Sequence, residues 1–167
     1  MERRGRSLAG VLDAVLLVLA AILCIGLAGM ALGGVMSLVQ PGYFDRMAEA
    51  GLLVGGFSRS DFLIGLAFGS VITVAALALT LLMRRVMRTV ARGEPFHRDN
   101  PRNLRLIALA LAVVSGCSLA ADLLVRTGAN DRPDLDLTSW LSVLVVLVLA
   151  EVFREGARLR ADAELTV

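Results

Sequence analysis

The stretch LDAVLLVLAAILCIGLAGMALGGVMSLV, residues 12–39, decides the fold. After Asp13 no charged side chain occurs until Asp45. As a helix rising 1.5 Å per residue the stretch is about 42 Å long, against a bilayer hydrocarbon core of about 30 Å. It can therefore span with tilt to spare. Arg3, Arg4 and Arg6 precede it, as they would in a secretory leader. The apolar run is far longer than the roughly 7 to 15 residues of a leader's hydrophobic region, so an uncleaved anchor is expected.

Three more runs follow: Phe62 to Met83, Leu106 to Ala121, and Leu137 to Ala150. The last two are completed by Leu123 to Val125 and by Val152 and Phe153. The chain is 57% hydrophobic and only 5% aromatic, too apolar for a water-soluble domain of 167 residues. The expected fold is all-α: one integral membrane four-helix bundle, with spans at about 12–38, 62–83, 104–125 and 137–156. A hairpin over 84–105 and a tail over 157–167 complete it. Pro41, Gly42, Gly51, Gly55 and Gly56 predict an irregular loop over Gln40 to Asp61. Gly128 to Asp136 reads as a short acidic turn.

All basic residues are arginine, and their placement is uneven. The start holds Arg3, Arg4 and Arg6; the hairpin holds Arg84, Arg85, Arg88, Arg92, Arg98, Arg102 and Arg105; the end holds Arg154, Arg158 and Arg160. The opposite side has only Arg46, Arg59, Arg126 and Arg132. An excess of arginine marks the cytoplasmic side, which puts both termini and the hairpin there. The lack of lysine suits a GC-rich bacterial genome, and so a bacterial plasma membrane.

The hairpin can be read locally. A helix running to Arg92 would end at Gly93 as its C-terminal cap, with Pro95 blocking continuation. Asn100 before Pro101 reads as an N-cap and first helical residue, because the residue before proline avoids helical dihedrals. The fourth run has only Leu137 to Ala150 without charge, so Glu151 must enter the inner leaflet. Arg84, Arg85 and Arg88 reach similar depth on the second long helix, and pairing of at least one with Glu151 is expected. Asp13 and Asp122 lie nearer the ends of their helices; Asp13 can slide to the interface and Asp122 has Arg126 one turn later.

No catalytic constellation is visible, and no enzymatic activity or cofactor is expected. His97, the single histidine, has no cysteine near it with which to hold a metal. Glycine-rich phosphate loops and short-spaced cysteine pairs are absent. Cys24 and Cys117 fall about midway along their helices and read as small packing residues. Gly29 with Gly33, and Gly65 with Gly69, are pairs one helical turn apart that allow close backbone approach; packing within the chain is the expected use, and a homo-oligomer the other. The basic hairpin lacks interleaved aromatics, so lipid headgroups rather than nucleic acid are its natural anions.

Val90-Ala91-Arg92-Gly93-Glu94-Pro95-Phe96, followed by Asn100, Arg102, Leu104 and Arg105, resembles a motif of small bacterial membrane proteins grouped as domain of unknown function 2975. The closing stretch, Glu151-Val152-Phe153-Arg154-Glu155-Gly156-Ala157-Arg158-Leu159 and then Glu164-Leu165-Thr166-Val167, is similar to that family's ending. Where relatives tend to have Asn-Asp before the final Leu-Thr, this chain has Ala163-Glu164. The resemblance implies no catalytic residues. It implies a genetic habit, since such proteins are often encoded beside a small helix-turn-helix repressor of the Cro type. The expected function is a membrane partner that holds such a regulator, docked on Arg92, Gly93, Pro95, Phe96, Phe153, Arg154, Leu165 and Thr166. The alternative is a small transporter or channel component using Glu151 and the glycine faces.

Overall fold

Each uncharged run becomes a helix because, away from water, a chain can satisfy its backbone N–H and C=O groups only within its own segment. The computed structural model describes residues 2–40, 42–50, 58–92, 94, 97, 99–125 and 136–164. In chain order the helices are α1 (Glu2–Val39), α2 (Tyr43–Glu49), α3 (Arg59–Ala91), α4 (Asn100–Val125) and α5 (Leu137–Glu164). The fold is all-α, and among the described residues four helices are long and apolar enough to cross a membrane: Gly10–Val39, Arg59–Ala91, Asn100–Leu124 and Leu137–Asp162.

The long helices pack in chain order: α1 on α3, α3 on α4, and α4 on α5. Few residues are buried, and most of those are small: Ala20, Ala75, Ala108, Ala110 and Ala150, with Ser37 and Thr80. Large side chains such as Ile22, Ile25, Leu109, Leu144 and Val148 point outward. Lipid is as apolar as leucine, so burying leucine gains little there and close backbone approach through small residues gains more.

The α1–α3 pair is antiparallel and fastened along its length. At one end the Arg59 guanidinium donates to the Ser37 carbonyl at 2.5 Å. Met30 lies over Gly69, where an added Cβ would meet its Cε at 3.5 Å. A Cβ on Gly34 would stand 2.8 Å from Leu66 Cδ2, so α1 and α3 approach closely here and any larger residue must displace the Leu66 side chain. Gly34 was not among the residues expected at such a contact. Gly29, Gly33 and Gly65 have nothing within 4 Å of that position, so of the two glycine pairs only Gly69 touches a neighbouring helix. Spacing along the sequence shows that two glycines share a face, but not which way that face is turned.

Two local features differ from expectation. The loop after α1 contains a short helix, α2, entered through Gly42 at φ +80°, a conformation that glycine adopts without strain. Arg46 closes that turn by donating to the Gly42 carbonyl at 3.3 Å and to Gln40 Oε1 at 3.2 Å. Phe44 then meets Phe62 edge to face, ring centroids 5.8 Å apart. Second, α3 starts at Arg59, ahead of Phe62, because Ser58 and Asp61 form a reciprocal capping box. Cys24 is exposed on α1 and Cys117 half-buried on α4, both as free thiols. The expected acidic turn before Asp136 and the partner Arg126 lie outside the described residues.

Candidate functional site

The charged groups gather at the end of the bundle where α3 turns into α4. Asp13 ends the charged part of α1, and Arg84 opens the basic part of α3; the antiparallel pairing brings them together. Arg84 Nε donates to Asp13 Oδ1 at 2.8 Å and its Nη2 to Oδ2 at 3.0 Å, a two-pronged bridge with the arginine side chain only 15% exposed. Arg88, one turn further, approaches the same carboxylate at 3.6 Å.

Glu151 therefore has other partners than Arg84, Arg85 or Arg88. It accepts from Arg105 on α4 at 3.3 Å and from Arg154 one turn along α5. The reason is lateral. α4 stands between α3 and α5, so the arginine that reaches Glu151 comes from the first turns of α4, while the Arg84 and Arg88 face of α3 is turned to α1. The sequence gives depth along the membrane normal but not the order of helices around the bundle. All three side chains of the Glu151 cluster are about half exposed on the surface of the bundle, unlike the enclosed Arg84. The signal for the Asp13 bridge was present in the sequence: Asp13 is the last charge before one apolar run and Arg84 the first after the next.

The turn is organised by Asn100, which is fully buried. Thr89 Oγ1 lies 2.9 Å from Asn100 Oδ1 and 2.7 Å from the Val86 carbonyl, so one hydroxyl proton serves two acceptors and ties α3 to α4. Asn100 is thus the first residue of α4 with its side chain turned to α3, and the Asn103 N–H bonds the Asp99 carbonyl at 2.9 Å one residue earlier than expected for the cap. On the other side α3 ends at Ala91 and is capped by Arg92, whose N–H bonds back to the Arg88 and Thr89 carbonyls.

Below this turn is a cavity of about 490 Å³ lined by Arg85, Arg88, Arg92 and Arg102, with Glu94, His97 and Asp99. Four guanidinium groups face two carboxylates. His97 Nδ1 accepts from the Asp99 N–H at 3.3 Å and lies 3.6 Å from the Asp99 carboxylate. Among the described residues no three His, Cys, Asp or Glu side chains gather as a metal site. The cavity's chemistry is that of an anion site: planar, permanently charged donors of fixed geometry. Of the residues expected to form a docking surface, Arg92 and Arg154 are exposed and Phe153 is half-buried. Gly93, Pro95, Phe96, Leu165 and Thr166 lie outside the described residues.

The hairpin and the closing helix, where the recognisable motifs sit, both fall in the part of the chain matched by a family profile described as protein of unknown function (DUF2975), over residues 47–167. The chain belongs to this family. The match includes α3, α4 and α5 and leaves out α1, so the Asp13–Arg84 bridge joins a helix outside the matched region to one inside it. No curated protein and no solved structure matches the chain. As a DUF2975 member with four apolar helices, it is a membrane protein.

Proposed function

We propose that this DUF2975 protein is a non-enzymatic membrane partner for a small cytoplasmic helix-turn-helix regulator, with both termini and the hairpin on the cytoplasmic side of a bacterial plasma membrane. The observation that carries the reading is the Arg105–Glu151 bridge, because it joins the start of α4 to α5 just where the two motif-bearing segments leave the bilayer. On this reading the bridge holds the base of the hairpin beside the helix that carries the tail. Helix α5 adds reach. Its 28 residues span about 42 Å, so roughly 12 Å projects past a 30 Å core. That projection carries Arg158 and Asp162, 4.0 Å apart, with Glu155 at its base 3.8 Å from Arg158, a polar helix suited to water and to a protein partner. The regulator class rests on the family's gene neighbourhood and is an analogy.

The test is binding of full-length protein in nanodiscs to the small helix-turn-helix proteins of its own host, with solute flux measured in liposomes. Saturable binding that is lost on Arg105→Glu and recovered in Arg105→Glu with Glu151→Arg supports the reading. No binding, together with solute flux abolished by Glu151→Gln, refutes it in favour of a transporter.

A further inference from the structure

A second cavity, of about 680 Å³, runs along the α3–α4 face toward the basic one. Its floor is made of alanines, Ala75, Ala78 and Ala110, and its walls of Leu81, Leu109 and Val113. Only its two ends are polar: Ser70, whose hydroxyl is occupied by the Leu66 carbonyl at 2.7 Å, and Arg85. From Ser70 to Arg85 along α3 is about 22 Å, more than the roughly 15 Å depth of one leaflet. The two cavities share Arg85 and Leu106, so an apolar channel the length of an acyl chain opens directly into a cluster of arginines.

We infer that this continuous groove is a binding site for an anionic phospholipid, with one acyl chain between α3 and α4 and the phosphate in the pocket of Arg85, Arg92 and Arg102. The charge argument selects the occupant. Among the described residues these three arginines form no ion pair, whereas Arg88 is held by Asp13. A zwitterionic lipid would satisfy the apolar groove but leave the excess positive charge unmatched; a soluble phosphate would satisfy the arginines but leave the groove empty. A lipid anion does both, and it lies at the membrane surface where the pocket opens. The site shares Arg92 with the proposed docking surface but does not use the Arg105–Glu151 bridge, so lipid retention by Arg105→Glu separates the two.

The experiment is native mass spectrometry of the full-length protein in detergent, titrated with phosphatidylglycerol or phosphatidylcholine of identical acyl chains, with glycerol phosphate as a soluble competitor. Phosphatidylglycerol should be retained preferentially. Arg85→Ala with Arg102→Ala should weaken its retention about 25-fold, two factors of about five that each correspond to ~1 kcal/mol per arginine near an anionic surface. Retention of phosphatidylcholine should be unchanged. Ala78→Trp, which fills the groove and faces lipid, should weaken phosphatidylglycerol at an unaltered melting temperature, and Arg158→Ala should have no effect. Equal retention of the two lipids overturns the inference. So does competition by glycerol phosphate at concentrations comparable to the lipid, which would make this a headgroup site alone, or a doubling of mass that excludes lipid, which would show a second copy on the same face. Should the double arginine variant fail to fold, the lipid preference of the unaltered protein and of Ala78→Trp still decides.

Discussion

Replacing Gly34 by leucine tests the contact that brings α1 and α3 closest. A Cβ there is fixed by the backbone at 2.8 Å from Leu66 Cδ2, while carbon pairs settle at 3.5 to 4.0 Å. At least about 0.7 Å must be found. For alanine, Leu66 can turn its methyl away at about 0.5 to 1.5 kcal/mol of rotamer strain, which roughly cancels the 0.8 to 1 kcal/mol that leaving glycine gains a helix. Leucine must also place three further carbons between the helices, and overpacking of that kind costs about 1 to 3 kcal/mol. Gly33→Leu is the control, because the adjacent Cβ position is open. The measurement is thermal unfolding of both variants in one detergent. Gly34→Leu should melt below Gly33→Leu, and Leu66→Ala in the Gly34→Leu background should recover a coupling of about 0.5 to 3 kcal/mol. Equal melting of the two leucine variants, or no recovery with Leu66→Ala, refutes the close-approach argument.

Asp13→Asn should destabilise the protein more than Glu151→Gln, because the first strands the nearly enclosed Arg84, whereas the second loosens side chains that are already half exposed; melting in the same detergent compares them, and the reverse order counts against the assigned partners. In a background with Cys24 and Cys117 replaced by alanine, cysteines at Ser58 and Ala129 should react with an impermeant thiol reagent in intact cells and one at Gly93 should not; labelling at Gly93 would overturn the orientation. Asp136 caps α5, accepting from the Ser139 hydroxyl and from the Ser139 and Thr138 N–H groups, and these hold its carboxyl below the usual 3.8. A carboxyl depressed in the folded state contributes stability that is complete above its unfolded pKa and fades as the pH falls through the folded one. Acid unfolding monitored by helical circular dichroism should therefore lose a component below about pH 4 in Asp136→Asn, which keeps the cap but cannot titrate; an unchanged acid limb would remove Asp136 from the account.

The presence of four long apolar helices was legible because an apolar run of membrane length has one low-energy backbone solution; the short α2 was not, since nothing in its seven residues sets it apart from the loop around it. The hairpin was legible to within a residue for the same local reason: Pro95, Asn100 and Pro101 restrict their own dihedrals whatever surrounds them. Pairing was not legible. Asp13, Arg84, Arg105 and Glu151 all have the right depth, and any of several combinations would have neutralised them.

What the sequence by itself determined is thus the all-α fold, with four helices long and apolar enough to cross a membrane and an arginine-rich turn between α3 and α4. What only the tertiary structure decided is the order of helices around the bundle. Packing in the sequence α1, α3, α4, α5 gives Arg84 to Asp13 and Arg105 to Glu151, selects Gly34 over Gly29 and Gly33 for close approach, and leaves the alanine-floored groove between α3 and α4 open into the arginine pocket. In lipid no face is driven inward by water, so periodicity of apolar residues marks no interior, and the small differences in fit between rotated faces settle the arrangement.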